Sequence, residues 1–484
     1  MKKGVLFSMA ILLCSINVSA AIKSIRWGSS GDPLSGLTIT WTNTGANDSI
    51  KWGYSASLEQ GSKIALKRTN AANTLEFFCS YAFNNVTPNA TIHYKLYDSK
   101  AKTWGSEMLF NTAPPANTSS YCFLGLGDSR DDFTTWGQIS NLAKAKNANF
   151  SLFTGDLIYN GIDYPDDWSA WFDSAATFLQ SNLVYHSLGN HDANDAPQFQ
   201  NTFDLPKTNG SNLYYSFKYG NGLFICLNSE AESSTTQYTW LKNTLASYQN
   251  DPDITWRVVF NHKPFYTIGS HAGEMDPYFN TWWKTFDDYG IDLIVNGHDH
   301  MYERTKPINR KTSTSTPVST YGSGVGEGRC QIVCGGAGAP LYTGNSNVWF
   351  IEKYSSSFNY LEFCVNGNSL EGIAHDETDA VIDNFTITKP TTVDVKNNNQ
   401  KFNPISIYPN PVETNFTLKY QSLETGKGTL KIVDMNGKIL KTENVMKAQQ
   451  LFENKFDATG LAAGMYYVEI QIDNQCDRTL MIIK

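Results

Sequence analysis

The 484-residue sequence predicts three folded units in a row: a small antiparallel β-sandwich, a layered α/β domain and a second small β-sandwich. Three observations lead there. The chain exceeds the roughly 250–300 residues at which one hydrophobic core stops growing. At Tyr121 its hydrophobic rhythm changes from short alternating runs to apolar strands interleaved with amphipathic helices. A polar tract rich in Thr, Lys, Asn and Gln, residues 389–404, then sets off the third unit. Hydrophobic residues make up 41% and charged residues 17% of the chain, enough apolar material for packed cores rather than disorder.

The first unit, residues 21–114, alternates apolar and polar residues in runs such as Leu37 to Trp41 and Thr91 to Leu96, separated by Gly, Asn, Asp and Pro clusters. That period of two is the mark of half-buried strands. The turn Val86-Thr87-Pro88-Asn89 before the Tyr94 strand resembles fibronectin type III domains. Residues 117–120 read as a short connector. In the central unit, residues 121–388, three sets share helical faces: Trp136, Ile139, Leu142 and Ala143; Trp168, Trp171, Phe172, Ala175 and Leu179; and Phe279, Trp282, Trp283 and Phe286. These are core-packing faces. The last unit, residues 405–484, carries alternating strands around Thr429 to Val433 and Met465 to Ile470 and ends on the apolar run Leu480 to Ile483.

The chain opens with Lys2 and Lys3, an apolar stretch from Val5 to Ile16 and the small-residue pattern Val18-Ser19-Ala20, which predicts a cleaved export signal over residues 1–20. No other stretch approaches the ~20 apolar residues of a membrane span. Cleavage would remove Cys14 and leave seven of the eight cysteines, an odd number. Cys330 and Cys334 could form a disulfide, whereas Cys122, Cys226 and Cys364, in apolar strand-like runs, read as buried thiols. The net charge of −8 and the absence of a long Lys/Arg run exclude a nucleic-acid or anionic-membrane footprint.

Five apolar strands of the central unit each end in a polar cluster: Gly127-Asp128-Ser129-Arg130, Gly155-Asp156-Leu157-Ile158-Tyr159, Gly189-Asn190-His191-Asp192, Asn261-His262 and Gly297-His298-Asp299-His300. In α/β sheets ligands bind at the carboxyl ends of strands, so the clusters should converge. Together they hold Asp128, Asp156, Tyr159, Asn190 and four of the eight histidines, a mixed oxygen and nitrogen set suited to borderline and hard metals. Two metal ions about 3.5–4 Å apart can neutralise a phosphate ester, generate hydroxide near neutral pH and stabilise both attacking and leaving oxygens. A carboxylate must bridge them, and Asp156, in the central cluster, is the natural candidate.

The ordered motifs Gly-Asp, Gly-Asp-x-x-Tyr, Gly-Asn-His, Asn-His and Gly-His-x-His resemble the calcineurin-like metallophosphoesterase superfamily, and Tyr159 narrows the resemblance to the purple acid phosphatases. The likeness spans about Ile22 to Thr388, because that family also places a fibronectin-like domain first. It implies a ferric ion held by Asp128, Tyr159 and His300, and a divalent ion (Zn2+, Fe2+ or Mn2+) held by Asn190, His262 and His298, with Asp156 shared. It further implies that His191 and His271 contact the phosphate and protonate the leaving alkoxide, as imidazole can near its ordinary pKa of about 6.5. Asn190 would also meet the substrate. The loop His271-Ala272-Gly273-Glu274 is one residue shorter than the family's pattern. Arg130 has two readings: a fork onto a phosphate oxygen, or a salt-bridge partner of Asp131 or Asp132. Tyr302, Glu303 and Arg304 read as braces behind the His298 and His300 loop.

The last unit, with Tyr408-Pro409-Asn410-Pro411, Gly464-Met465-Tyr466 and a terminal Lys484, resembles the type A sorting domain of the Bacteroidetes type IX secretion system. That implies passage across the outer membrane to the cell surface or medium, with the domain removed on release. The expected activity is phosphate-monoester hydrolysis of the acid phosphatase type. A phosphodiesterase on the same site is the near alternative, and a non-catalytic surface-binding protein is the alternative of a different class.

Overall fold

Alternation in the first hundred residues builds two facing sheets. The computed structural model describes residues 22–484 apart from 46, 71–74, 310–316, 325–326, 346, 390–404, 422–424, 436, 450 and 473–474. The expected export signal and nearly all of the expected linker therefore lie outside the described residues. One sheet orders the strands Lys23–Ser29, Leu37–Asn43, Phe77–Ala82 and Leu66–Thr69; the other is built on Ser49–Gly53 and Thr91–Asp98. Residues 91–98 alternate strictly between partly and fully buried, and Ile39, Trp41, Ile50, Ile92 and Tyr94 meet between the sheets.

This sandwich is not an independent unit. The chain divides at Pro390 into two compact bodies, and the first contains both the sandwich and the α/β domain. Buried polar contacts join them. Trp27 Nε1 and Tyr94 OH both donate to the Gln180 carbonyl, at 2.9 and 2.8 Å. Arg26 Nε donates to the Thr202 carbonyl at 2.7 Å while its guanidinium lies over Phe78 and Phe172. Trp27 also bridges to Leu183, just ahead of the strand that ends in Asn190 and His191. The first sandwich thereby braces one of the site-bearing elements from behind.

The central domain has two sheets rather than one. The first runs 184–186, 150–153, 120–126, 359–366, 369–376, 381–388, and the second 215–219, 222–226, 256–260, 293–296, 330–334, 302–305, 351–355. Both are parallel where they carry the strand-end clusters, and antiparallel strands extend them. Their inner faces pack aromatic on aromatic: the Phe123 ring lies 4.8 Å from Phe363, 5.3 Å from Phe150 and 5.3 Å from Phe224. Outward residues of the second sheet, Leu223, Ile225, Val259 and Ile294, cluster with Leu241, Leu245, Trp283 and Phe286 on the covering helices.

The helical faces are placed as their spacing predicts, with local departures. Trp136, Ile139 and Ala143 are fully buried on helix Phe133–Ala145, whose start is capped by Asp132 accepting from Thr134 N and Thr135 N. The Trp168 to Leu179 face is split at Ala175 into two helices, Asp166–Ser174 and Ala176–Leu179. The Phe279 to Phe286 face opens as a π-helical turn, Phe279–Trp283, before becoming α-helical.

The second body is a two-layer β structure. One sheet joins Ile405–Tyr408, Asn415–Gln421 and Leu451–Asp457; the other joins Ile439–Lys447, Gly426–Asp434, Gly464–Ile472 and Gln475–Ile483. Phe416, Leu418, Leu430, Ile432, Val468, Ile470 and Met481 form its core. No described helix is long and apolar enough to cross a membrane.

The cysteine expectations need correcting. Cys122 and Cys364 are not thiols; they form a disulfide. They stand directly opposite each other on antiparallel strands, with Cα atoms 4.1 Å apart, a cross-strand partnership invisible before the 359–366 strand is placed. Cys330 and Cys334 do not pair. They lie four residues apart on one strand, which at ~3.3 Å per residue is beyond disulfide reach. Cys226 is a buried thiol, as are Cys79, Cys330 and Cys334. The bridge closes a 242-residue separation. Peptide mapping without reductant should recover Cys122 linked to Cys364, and replacing both by Ser should lower unfolding stability by about 2–5 kcal/mol, read by denaturant titration.

Candidate metal centre

Sharp turns carry the functional side chains. Asp128, Asp156 and His298 all adopt left-handed backbone, with φ of 59°, 56° and 72°. Non-glycine residues accept this conformation at a cost, and such outliers gather at functional sites. Each follows a glycine that leaves no room for a side chain. A Cβ on Gly297 would lie 2.2 Å from Asp128 Oδ2, and one on Gly155, itself at φ +96°, 2.7 Å from the Gly189 backbone nitrogen. The three loops therefore nest into one another.

The clusters converge as their positions predict. One donor group is Asp128, Asp156 and His300, and another is Asp156, His262 and His298; within each, the ligand atoms lie inside 4.8 Å of one another and all three residues are buried. Asp156 belongs to both. Its Oδ1 accepts from the His191 backbone N–H at 2.9 Å and lies 3.3 Å from His262 Nε2. His298 N–H reaches both Asp128 carboxylate oxygens at 3.0 Å, and His300 Nε2 lies 3.7 Å from Asp128 Oδ1. Asn190 Oδ1 sits 2.9 Å from His262 Nε2, beside the second group. The outer nitrogens of two of these rings are tied to backbone carbonyls, His262 Nδ1 to Thr154 O and His300 Nδ1 to Pro340 O, each at 2.8 Å. That leaves Nε2 of both free to face the carboxylates, the arrangement that orients metal-ligating histidines.

Electrostatics mark the centre as a cation site. Burial pushes the Asp128 carboxyl up to about 7, with Asp156 adding to the rise. Burial alone would raise Asp156 too, but His262 and His191 outweigh it and hold that carboxyl well below its ordinary range. Burial likewise disfavours charge on His262, yet Asp156 and Asp128 keep its imidazole protonated up to about 10. His298, desolvated and beside that charge, is driven far down. Two buried carboxylates thus draw positive charge into a pocket in which burial favours the neutral form of the His298 and His300 imidazoles.

The other predicted residues line the mouth. Tyr159 is the exposed member of the set: its ring lies 5.0 Å from His191, and the Arg130 guanidinium sits 5.7 Å from its centroid. His191 is tethered by Nδ1 to the Tyr159 carbonyl at 2.8 Å. His271 stacks on His298 at 3.7 Å and is oriented by Asp299, 2.9 Å from its Nδ1. Glu274 Oε2 lies 3.2 Å from His298 Nε2, so the shortened loop still reaches the centre. Both readings of Arg130 have a counterpart: it pairs with Asp131, and its Nε lies 3.4 Å from Asp156 Oδ2 inside the pocket. Asp132 is engaged as a helix cap instead. Glu303 holds the Thr267 hydroxyl and the Ile268 N–H, while Tyr302 and Arg304 grip Asp383.

Two residues escaped the motif reading, although both lie within its clusters. Asp299 is one, through His271. The other is Asp192, fully buried, whose Oδ2 accepts from Asp156 N (2.8 Å) and Gly189 N (3.1 Å) and whose Oδ1 accepts from Leu157 N (3.0 Å) and Ile158 N (3.4 Å). It sews the Asp156 loop to the Asn190 loop.

Comparison with known proteins agrees with this geometry. Residues 123–302 match the calcineurin-like phosphoesterase family, and residues 406–484 match the secretion system C-terminal sorting domain. The central domain is thus a calcineurin-like phosphoesterase, and a sorting domain ends the chain. Within that class, its homologues include purple acid phosphatases. The Fe(3+)-Zn(2+) purple acid phosphatase 12 of Arabidopsis thaliana is 24% identical over 298 residues, covering 57% of this chain and 63% of that protein. An uncharacterized protein of Mycobacterium tuberculosis is 29% identical over 221 residues, covering 39% of this chain and 42% of its own length. The chain thus spans less than two thirds of either relative. The purple acid phosphatase PPD1 from yellow lupin seeds shares the fold, with a TM-score of 0.63 at 20% identity over 76% of this chain and 74% of that one.

Replacing Asp192 by Asn puts an N–H donor against backbone N–H groups that need an acceptor. Urea titration should show a loss of about 1–3 kcal/mol, the range for buried donors left unpaired. Unchanged stability would mean that the two loops are held by other contacts.

Proposed function

We propose that this protein is an exported phosphomonoesterase of the acid phosphatase type working on a pair of metal ions. The observation that carries the reading is Asp156, shared between two buried donor groups that face each other. Asp128, Tyr159 and His300 would hold a ferric ion, Asn190, His262 and His298 a divalent one, and Asp156 would serve both. The name of the Arabidopsis relative, with its Fe(3+) and Zn(2+), supports that pairing of metals. Such a pair, when bound, supplies charge neutralisation and a hydroxide nucleophile near neutral pH.

The chain's own residues supply the rest. Arg130, already inside the pocket, and the Asn190 side chain are placed to take phosphate oxygens. His191 is fixed by its Nδ1 hydrogen bond, which turns Nε2 towards the centre, 4.0 Å from Asp156 Oδ2, where a proton can pass to a leaving alkoxide. His271, held by Asp299 against His298, is a second proton carrier on the opposite side. The buried floor keeps water out and strengthens each of these interactions. We infer further that the N-terminal sandwich is of fibronectin type III kind. The C-terminal domain is the address for type IX export, as in Bacteroidetes, and is lost from the mature product. Mass spectrometry of the extracellular protein should therefore find no peptide ending in Lys484.

Metal analysis of the purified protein should give two ions per chain, one of them iron, with a visible absorption band from the Tyr159 phenolate. Asp156→Asn should abolish turnover while the circular dichroism stays native. His191→Ala should lower kcat by about 10²–10⁴, the usual yield of a positioned general acid. A diester turned over with higher kcat/KM than a monoester would replace the phosphatase by a phosphodiesterase. Full activity in Asp156→Asn would overturn the site.

A further inference from the structure

Two large apolar side chains stand exposed just beyond Tyr159: Ile162 and Tyr164, at 64% and 54% exposure. Adjacent exposed apolar groups rimmed by polar residues are the kind of surface on which ligands settle. This one is continuous with the site, since the Tyr159 ring lies 5.0 Å from His191 and 5.8 Å from Tyr164 in an edge-on pair.

The loop is preorganised to present them. Asn160 folds it back on itself, its Oδ1 accepting from Ile162 N at 3.0 Å and Asp163 N at 3.2 Å, while its carbonyl accepts from Tyr164 N at 2.9 Å. Gly161 is packed so closely beneath that a Cβ there would lie 2.6 Å from Trp168 Nε1 and 2.7 Å from Asp195 Oδ2. Ile162 and Tyr164 therefore cannot swing into the core to bury themselves. Little ordering entropy remains to be lost when a ligand covers them.

The segment that carries the loop is acidic. Between Asn147 and Pro206 the sequence has eight Asp and no Lys or Arg. Asp163 and Asp166 are exposed on the rim beside Tyr164. Arg130, the nearby cation, pairs with Asp131 and lies at the pocket floor, where it would meet the scissile phosphate rather than a further one. A leaving group bearing additional phosphates would meet the Asp163 and Asp166 carboxylates on the rim.

We propose that this rim selects the substrate class: phosphate monoesters whose alcohol part is a planar aromatic without further anionic groups, its ring lying against Tyr164 and Ile162. The inference rests on the phosphatase reading above. Benzyl phosphate and ethyl phosphate make a matched test, since both release a primary alkoxide and differ mainly in the ring. The metal-loaded full chain should favour benzyl phosphate in kcat/KM by about threefold to tenfold, the range that one aromatic contact supplies. In Tyr164→Ala and Ile162→Ser that preference should collapse towards one. Benzylphosphonate and ethylphosphonate, which cannot be hydrolysed, should show the same difference in binding measured by calorimetry, and inositol hexakisphosphate should be a poor substrate. Equal handling of the two esters with turnover intact would overturn the rim and leave the phosphatase standing. No turnover, with selective binding of benzylphosphonate, would do the reverse. No turnover and no selective binding would overturn both, and a preference unchanged in both variants would overturn the rim alone.

Discussion

Everything in the central domain answers to one constraint: two carboxylates, Asp128 and Asp156, are buried side by side at the sheet ends. Charges so placed are tolerated only where donors or cations surround them. Here backbone N–H groups of His298 and His191 turn towards them, and imidazoles close the ring. Meeting that demand forces Asp128, Asp156 and His298 into left-handed backbone and requires glycine before each. Strain at the loops is held by what lies behind them.

What lies behind is layered. Asp192 and Asp299 fix the loops and His271 through hydrogen bonds. Behind these stand two sheets with an interlocked aromatic seam, and the Cys122–Cys364 bridge ties two neighbouring strands of the first. The first sandwich then presses on the 180–202 region through Trp27, Tyr94 and Arg26. A site whose ligand atoms must agree within fractions of an ångström benefits from such nesting, because precision is set by supporting contacts as much as by the ligands. The extra domain at the N-terminus is in this sense part of the centre's foundation, which is why the chain forms one body up to Pro390.

Much of this was legible in the sequence because polar clusters recur at the ends of apolar runs, and α/β geometry brings strand ends together. Asp128, Asp156, Asn190, His262, His298 and His300 fell where that rule places them. The unread part consists of pairings across long sequence distances. Cys122 could not be matched to Cys364 without knowing that the 359–366 strand adds antiparallel to the first sheet. Asp192 looked like one more member of its cluster, since its role lies in four backbone donors that no side-chain pattern records. Likewise the two-sheet centre, in which Phe224 turns inward and Leu223 outward, reads in one dimension as a plain apolar run.

The same reasoning separates floor from rim. Floor residues are dictated by charge: with the carboxylates buried, each neighbour must donate, accept or carry a compensating charge, and few substitutions satisfy that. Rim residues face no such demand. Tyr159 alone spans both, its backbone carbonyl tethering His191 while its ring lies 5.0 Å from His191 and 5.8 Å from Tyr164. The buried cluster therefore lies in the part of the sequence where physics leaves least freedom, and the exposed side chains of Ile162 and Tyr164 lie where it leaves more. Ile162 and Tyr164 make no contact with Asp128, Asp156 or the four histidines, whereas Asn160 and Gly161 hold the loop in shape.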